Sequence, residues 1–171
     1  MNRNPESIIT LVARLELEFG AIESNFDLNR QAYGRLQQGA DDSLDWAALG
    51  YTLHAIYTAM EHYFLLISKT FENDLSSDSW HKDLIDKMQL ELPGIRPRLL
   101  SRALARTIDE LRGFRHVFLS LYDDRLDQDR IMLIQKKYQI CDAAFPMPIL
   151  PLLSQFKSLH SGSRSFSPRR I

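Results

Sequence analysis

The segment Leu44–Glu72, "LDWAALGYTLHAIYTAMEHYFLLISKTFE", constrains the fold more than any other part of the chain. Its apolar residues follow helical spacing but occupy more than one face. Such a helix buries itself either at the centre of a bundle or against a second subunit. Nowhere does the chain show the strict alternation of a half-buried strand, and no internal repeat is visible. These patterns predict an all-α bundle of about five helices.

The remaining elements fall on either side of this helix. A first helix is expected from about Glu6 to Gln38. Ile8, Leu11, Val12, Leu15, Phe19, Ile22 and Phe26 form its apolar stripe at three- and four-residue steps. Gly39 suits the helix end, and Asp42 or Ser43 suits the next N-cap. A short third helix, "WHKDLIDKMQ", leads into "LPGIRP", where Pro93, Gly94 and Pro97 predict a rigid turn. The fourth helix is expected from Pro97 to Asp123, with Pro97 in its first turn. The fifth begins near Asp127 and places Ile131, Ile134, Tyr138 and Cys141 on one face. Pro146, Pro148 and Pro151 are expected to interrupt or kink it. Residues 1–157 thus form one helical domain. The tail 158–171, "SLHSGSRSFSPRRI" and rich in serine and arginine, is expected to be disordered.

Composition narrows the function classes. A formal net charge of -1 over 171 residues supplies no global basic field, so any nucleic-acid binding must come from a local patch. The lone cysteine, Cys141, excludes an internal disulfide and a multi-cysteine metal site, and it points to a reducing, cytoplasmic compartment. Glu6, Arg14, Glu16 and Glu18 interrupt the first apolar positions, so no signal-peptide core is expected there. No apolar run is long enough to span a bilayer.

The unusual polar residues cluster in "LRGFRHVFLSLYDD", residues 111–124. Arg115 and Tyr122, seven apart, share one helix face, and Arg112, His116 and Ser120 form a neighbouring row. Phe114, Val117, Phe118 and Leu121 supply the apolar side. Arginine offers a fixed fork of donors for a phosphate, and histidine moves protons near neutral pH. A metal-free ribonuclease needs a base for the ribose 2′-hydroxyl, cations for the phosphorane charge and an acid for the leaving oxygen. One helix cannot surround a phosphodiester, whereas the same helix from two subunits across a two-fold axis can. The plainer reading pairs Arg112 and Arg115 with Asp109, Glu110 or Asp123, makes His116 an interior histidine and makes Tyr122 a core ring. On spacing alone the plainer reading takes precedence.

Three segments in order carry a family resemblance. "LHAIYTAMEHYFLLISKTFE", "SWHKDLIDKM" and "LLSRALARTIDELRGFRHVFLSLYDDRLD" resemble the second helix, the connecting segment and the catalytic helix of the HepT-like branch of the HEPN superfamily. That branch supplies the toxin half of HEPN–nucleotidyltransferase toxin–antitoxin modules, and the likeness runs from about Leu44 to Tyr138. It implies a homodimer, an RNA substrate, a nucleotidyltransferase antitoxin, no cofactor and no membrane. The family motif is an arginine, four residues, a histidine, one residue and a tyrosine. Its arginine and histidine, from both subunits, form a metal-independent ribonuclease site, and its tyrosine receives AMP from the antitoxin.

Here the motif arginine falls on Arg115 and the tyrosine on Tyr122, but the histidine position holds Ser120. A serine hydroxyl does not titrate near neutrality and cannot replace the imidazole. Three outcomes follow. His116, one turn earlier on the same face, supplies the proton carrier. Alternatively Arg115 and the helix support weak cleavage by charge stabilisation alone, with Arg112 a further candidate for holding the phosphorane charge. In the third outcome the domain is impaired and serves as a binding or scaffold subunit.

Glu61 matches the recurrent family glutamate and is expected to pair with an arginine of the fourth helix. His54 and His62 lie too far apart on one helix to ligate the same metal. Trp80 and His81 open the short helix, where the tryptophan reads as a packing anchor. Arg164, Arg169 and Arg170 in the tail read as solvating charges.

Overall fold

Five α-helices, α1 (Pro5–Gln37), α2 (Ser43–Phe71), α3 (Trp80–Met88), α4 (Arg102–Leu119) and α5 (Gln128–Ala144), build the fold, and no strand occurs among the described residues. A computed structural model of the chain describes residues 5–71, 80–93, 95–119, 126–145 and 154. The all-α bundle expected from periodicity is the architecture observed.

The helix that is apolar on several faces is the axle. α1, α3, α4 and α5 all pack against α2. Leu49, Leu53, Ile56, Met60, Tyr63 and Ile67 on α2 are completely buried, and Tyr57 and Phe64 nearly so. Of the two placements its sequence allows, the chain's own helices provide the central one. α1 lies along it through Leu11, Val12, Leu15, Phe19, Ile22 and Phe26, the expected stripe. The side chains of Ile8 and Val117 fall outside the described set.

Local chemistry fixes the ends. At the close of α1, Ala40 N–H donates to Arg35 C=O and Gly39 N–H to Leu36 C=O, both at 3.1 Å. This reversal needs a left-handed residue, and Gly39 adopts φ 95°. Between the two candidate caps, Asp42 does the work: its Oδ1 accepts from Leu44 N–H at 2.8 Å and Asp45 N–H at 2.9 Å. Asp127 caps α5 the same way through Arg130 N–H.

The fourth helix starts later than its sequence suggests. Pro97 is not in its first turn, because α4 begins at Arg102 with Ser101 as cap, its Oγ accepting from Leu104 N–H at 3.2 Å. Residues 97–101 are held out of the helix because Leu99 and Leu100 are buried and both donate N–H to Met88 C=O at 3.0 Å. Arg96 reinforces that corner: 2% exposed, it donates Nη1 to Leu90 C=O and Nη2 to Lys87 C=O, both at 2.9 Å. It thereby adds a second donor to Lys87 C=O, which also accepts from Leu90 N–H at 3.0 Å, and meets Leu90 C=O just past the end of α3. The expected end of α4 at Asp123, Gly94, the prolines from 146 and the tail 158–171 lie outside the described residues.

α5 closes the bundle against α4 and α2, and its side chains reach α1. Ile131, Tyr138, Cys141 and Phe145 are buried, and Phe26 meets Tyr138 and Phe145 with ring centroids 5.7 and 6.2 Å apart. Burial pushes the Cys141 thiol well above its ordinary value, so it packs as a small apolar group. Among the described residues no helix is long and apolar enough to cross a membrane.

Candidate functional site

α2, α3 and α4 meet around one carboxylate. Glu61 sits two turns beyond His54 and one turn beyond Tyr57 on α2, on the face that α4 covers, and it is only 4% exposed. A carboxylate removed from water must be met by donors, and three converge on it. The Tyr57 hydroxyl donates to Oε1 at 3.0 Å, Arg115 Nη1 donates to Oε2 at 3.0 Å and more loosely to Oε1 at 3.3 Å, and His81 Nδ1 bonds Oε1. The Arg115 guanidinium also stands 5.7 Å from the Tyr57 ring centre, within cation–π range.

The register that delivers Arg115 to Glu61 depends on a close approach three turns before it along α2. A Cβ at Gly50 would lie 2.7 Å from Phe118 Cε2, so only glycine lets that ring settle against α2. Phe118 then stacks on His54, with centroids 6.0 Å apart, and on Phe114 at 5.6 Å. Phe118 follows Arg115 by three residues on α4, so docking the ring also docks the guanidinium.

Electrostatics separate the titratable groups. Burial, reinforced by the charge of Glu61 and the hydrogen bond to it, drives the Tyr57 phenol far up, so it remains a neutral donor. The His54 imidazole is pushed below its ordinary value, first by burial and then by the Arg115 charge, while Glu61 opposes the shift. Its Nδ1 is buried without a hydrogen-bond partner among the described residues, and the same holds for Arg115 Nε.

The sequence candidates divide. Arg115 is at the centre of the cluster, its side chain 26% exposed. Arg112 bonds Asp109 through Nε at 2.7 Å, one turn earlier on the same helix, as the plainer reading expects. Glu110 pairs instead with Lys137 of α5, at 2.7 Å. His116 is exposed rather than interior. Ser120 and Tyr122, with Asp123, lie outside the described residues.

Sequence reasoning assigned no role to His81. Nothing in helical periodicity relates residues 61 and 81, which meet only because α3 folds back across α2. The one available signal was an imidazole placed beside a tryptophan at the start of an amphipathic helix. Trp80 stacks on the His81 ring, centroids 3.6 Å apart and planes 27° from parallel.

Compared with known proteins, a family model described as HepT-like protein matches residues 48–156, a span that takes in most of α2 and all of α3, α4 and α5. Neither a curated protein nor a solved structure matches the chain.

Proposed function

The chain belongs to the HepT-like protein family of the HEPN superfamily, and on that premise we propose that it is a metal-independent endoribonuclease, the toxin member of a bacterial toxin–antitoxin pair. The family is generally associated with ribonuclease activity. In this proposal the protein works in the cytoplasm as a homodimer whose two α4 helices flank one phosphodiester. The observation that carries the reading is the anchored Arg115. Among the described residues Glu61 engages it through Nη1 alone, which fixes the guanidinium and leaves Nη2 for a phosphate oxygen.

Arg115, assisted by Arg112, stabilises the charge that builds on phosphorus, His116 carries a proton, and Ser120 donates a hydrogen bond to phosphate. Tyr122 is the residue that a nucleotidyltransferase antitoxin modifies with AMP. The added charge and bulk exclude an RNA phosphate from the same helix.

Purified protein with excess chelator and a single-stranded RNA tests this reading. Cleavage is expected from the unmodified protein and loss of it from Arg115→Ala; equal cleavage by both contradicts the site. Co-expression with a nucleotidyltransferase encoded beside it is expected to add the mass of AMP to the Tyr122 peptide, and an unmodified peptide contradicts that assignment.

Ser120 at the motif histidine position favours a second reading, a HEPN domain that has lost cleavage and serves as a binding or scaffold subunit for the nucleotidyltransferase. Under it the unmodified protein is inactive and Ser120→His restores cleavage.

A further inference from the structure

We propose that His81, oriented by Glu61, is the general base of this ribonuclease, which places an imidazole in the site from α3 rather than from the motif position on α4. The inference rests on the ribonuclease reading above and adds a residue and a role to it. Three observations carry it. His81 Nδ1 bonds the buried Glu61 carboxylate, the same group that fixes Arg115. A carboxylate oxygen accepts, so Nδ1 carries a proton, and the tautomer that serves as base presents its lone pair at Nε2. The side chain is 36% exposed, and Trp80 stacks on the ring face, which leaves the ring edge for a substrate.

The carboxylate–imidazole pair therefore has the arrangement that a general base requires: a ring held in one tautomer, beside a cation that draws in the phosphate. In the step proposed, His81 Nε2 takes the proton of the 2′-hydroxyl while the 2′-oxygen attacks phosphorus. Arg115 holds the non-bridging oxygens, the bond from phosphorus to the 5′-oxygen breaks, and that oxygen leaves with a proton from His116. The products are a 2′,3′-cyclic phosphate and a 5′-hydroxyl, with one proton taken up and one delivered. Glu61 is a positioning residue. Among the described residues, the charged and titratable groups coupled to Glu61 or to its partners include Tyr57 and His54 of α2 and Arg112 and Arg115 of α4.

The test is single-turnover cleavage of a single-stranded RNA by the full chain across pH 5 to 9 in excess chelator, with helicity checked for each variant. His81→Asn keeps an N–H for Glu61 but has no base. It is expected to cut at least about 100-fold more slowly and to lose the ascending limb expected in the pH profile of the unmodified protein. His81→Ala is expected to regain part of the lost rate when imidazole is added, in proportion to its free-base form. Wild-type cleavage by His81→Asn overturns the inference, and if Arg115→Ala is inactive alongside it, the ribonuclease reading survives. A slow His81→Asn that keeps the ascending limb marks His81 as structural and also overturns it. An unmodified protein that cuts nothing removes the reading and this inference together.

Discussion

On one side of α2, Asn29, Thr52 and Gln135 exchange neutral hydrogen bonds; on the other, Glu61 gathers Tyr57, His81 and Arg115. Each cluster centres on a buried polar side chain and joins three helices, yet they are completed differently. Asn29 Nδ2 donates to Thr52 Oγ1 and Gln135 Oε1, and Gln135 Nε2 returns the bond to Asn29 Oδ1, all at 2.9 Å. Thr52 Oγ1 hands its own proton to Leu49 C=O at 2.8 Å. Each main donor there finds an acceptor, and no net charge is enclosed. The Glu61 cluster encloses charge, reaches the surface through Arg115 and His81, and among the described residues leaves polar capacity unused at Arg115 Nε and His54 Nδ1. A closed neutral network fixes the register of helices. An open, charged one holds side chains ready for something outside the chain.

The largest expected difference comes from Glu61. Glu61→Leu strands Arg115 and the Tyr57 hydroxyl, and about 3 kcal/mol of stability is expected to go in a urea titration; a loss below 1 kcal/mol would mean that the cluster is not coupled to folding. Asn29→Ala is expected to cost about 2 kcal/mol by leaving the Gln135 amide unsatisfied. Asn29→Leu combined with Gln135→Leu is expected to recover most of that, because both partners become apolar together. On the charged side, removing both Glu61 and Arg115 is likewise expected to recover stability, but with no recovery of the RNA cleavage proposed above.

Gly50→Ala sharpens the comparison from the backbone. Its methyl meets the Phe118 ring, so about 1–2 kcal/mol is expected to be lost, with RNA cleavage falling further than that stability change implies because Arg115 is displaced. The smallest effect concerns acid. His54 has a depressed pKa in the fold, so the stability tied to its neutral form is present above its unfolded value of 6.5 and is lost as pH falls below that toward the folded value. His54→Phe is expected to flatten this part of the stability–pH curve, and an unchanged slope would place the acid sensitivity elsewhere.

Much of the bundle is legible in the sequence because helical burial is periodic. The α1 stripe from Leu11 to Phe26 and the α5 row of Ile131, Tyr138 and Cys141 follow from spacing alone. The start of α4 does not. Pro97 is chemically acceptable in a first turn, but the backbone bonds of Leu99 and Leu100 to Met88 are tertiary and win. Arg96 reads as a turn residue and serves as the cap of α3 for the same reason. At the site, Arg115 is visible because it breaks the amphipathic pattern, and Glu61 because it matches the recurrent glutamate of the family that the chain resembles. His81 is invisible, since its relation to Glu61 exists only once α3 has crossed α2.

The most direct measurement compares the two clusters in one assay: cleavage of a single-stranded RNA in excess chelator by the unmodified protein, by Arg115→Ala and by the Asn29→Leu, Gln135→Leu double variant, all at matched helicity. Loss of cleavage in the first variant with retention in the second is the expected result. Wild-type cleavage by Arg115→Ala, or no cleavage by the unmodified protein, would contradict the account.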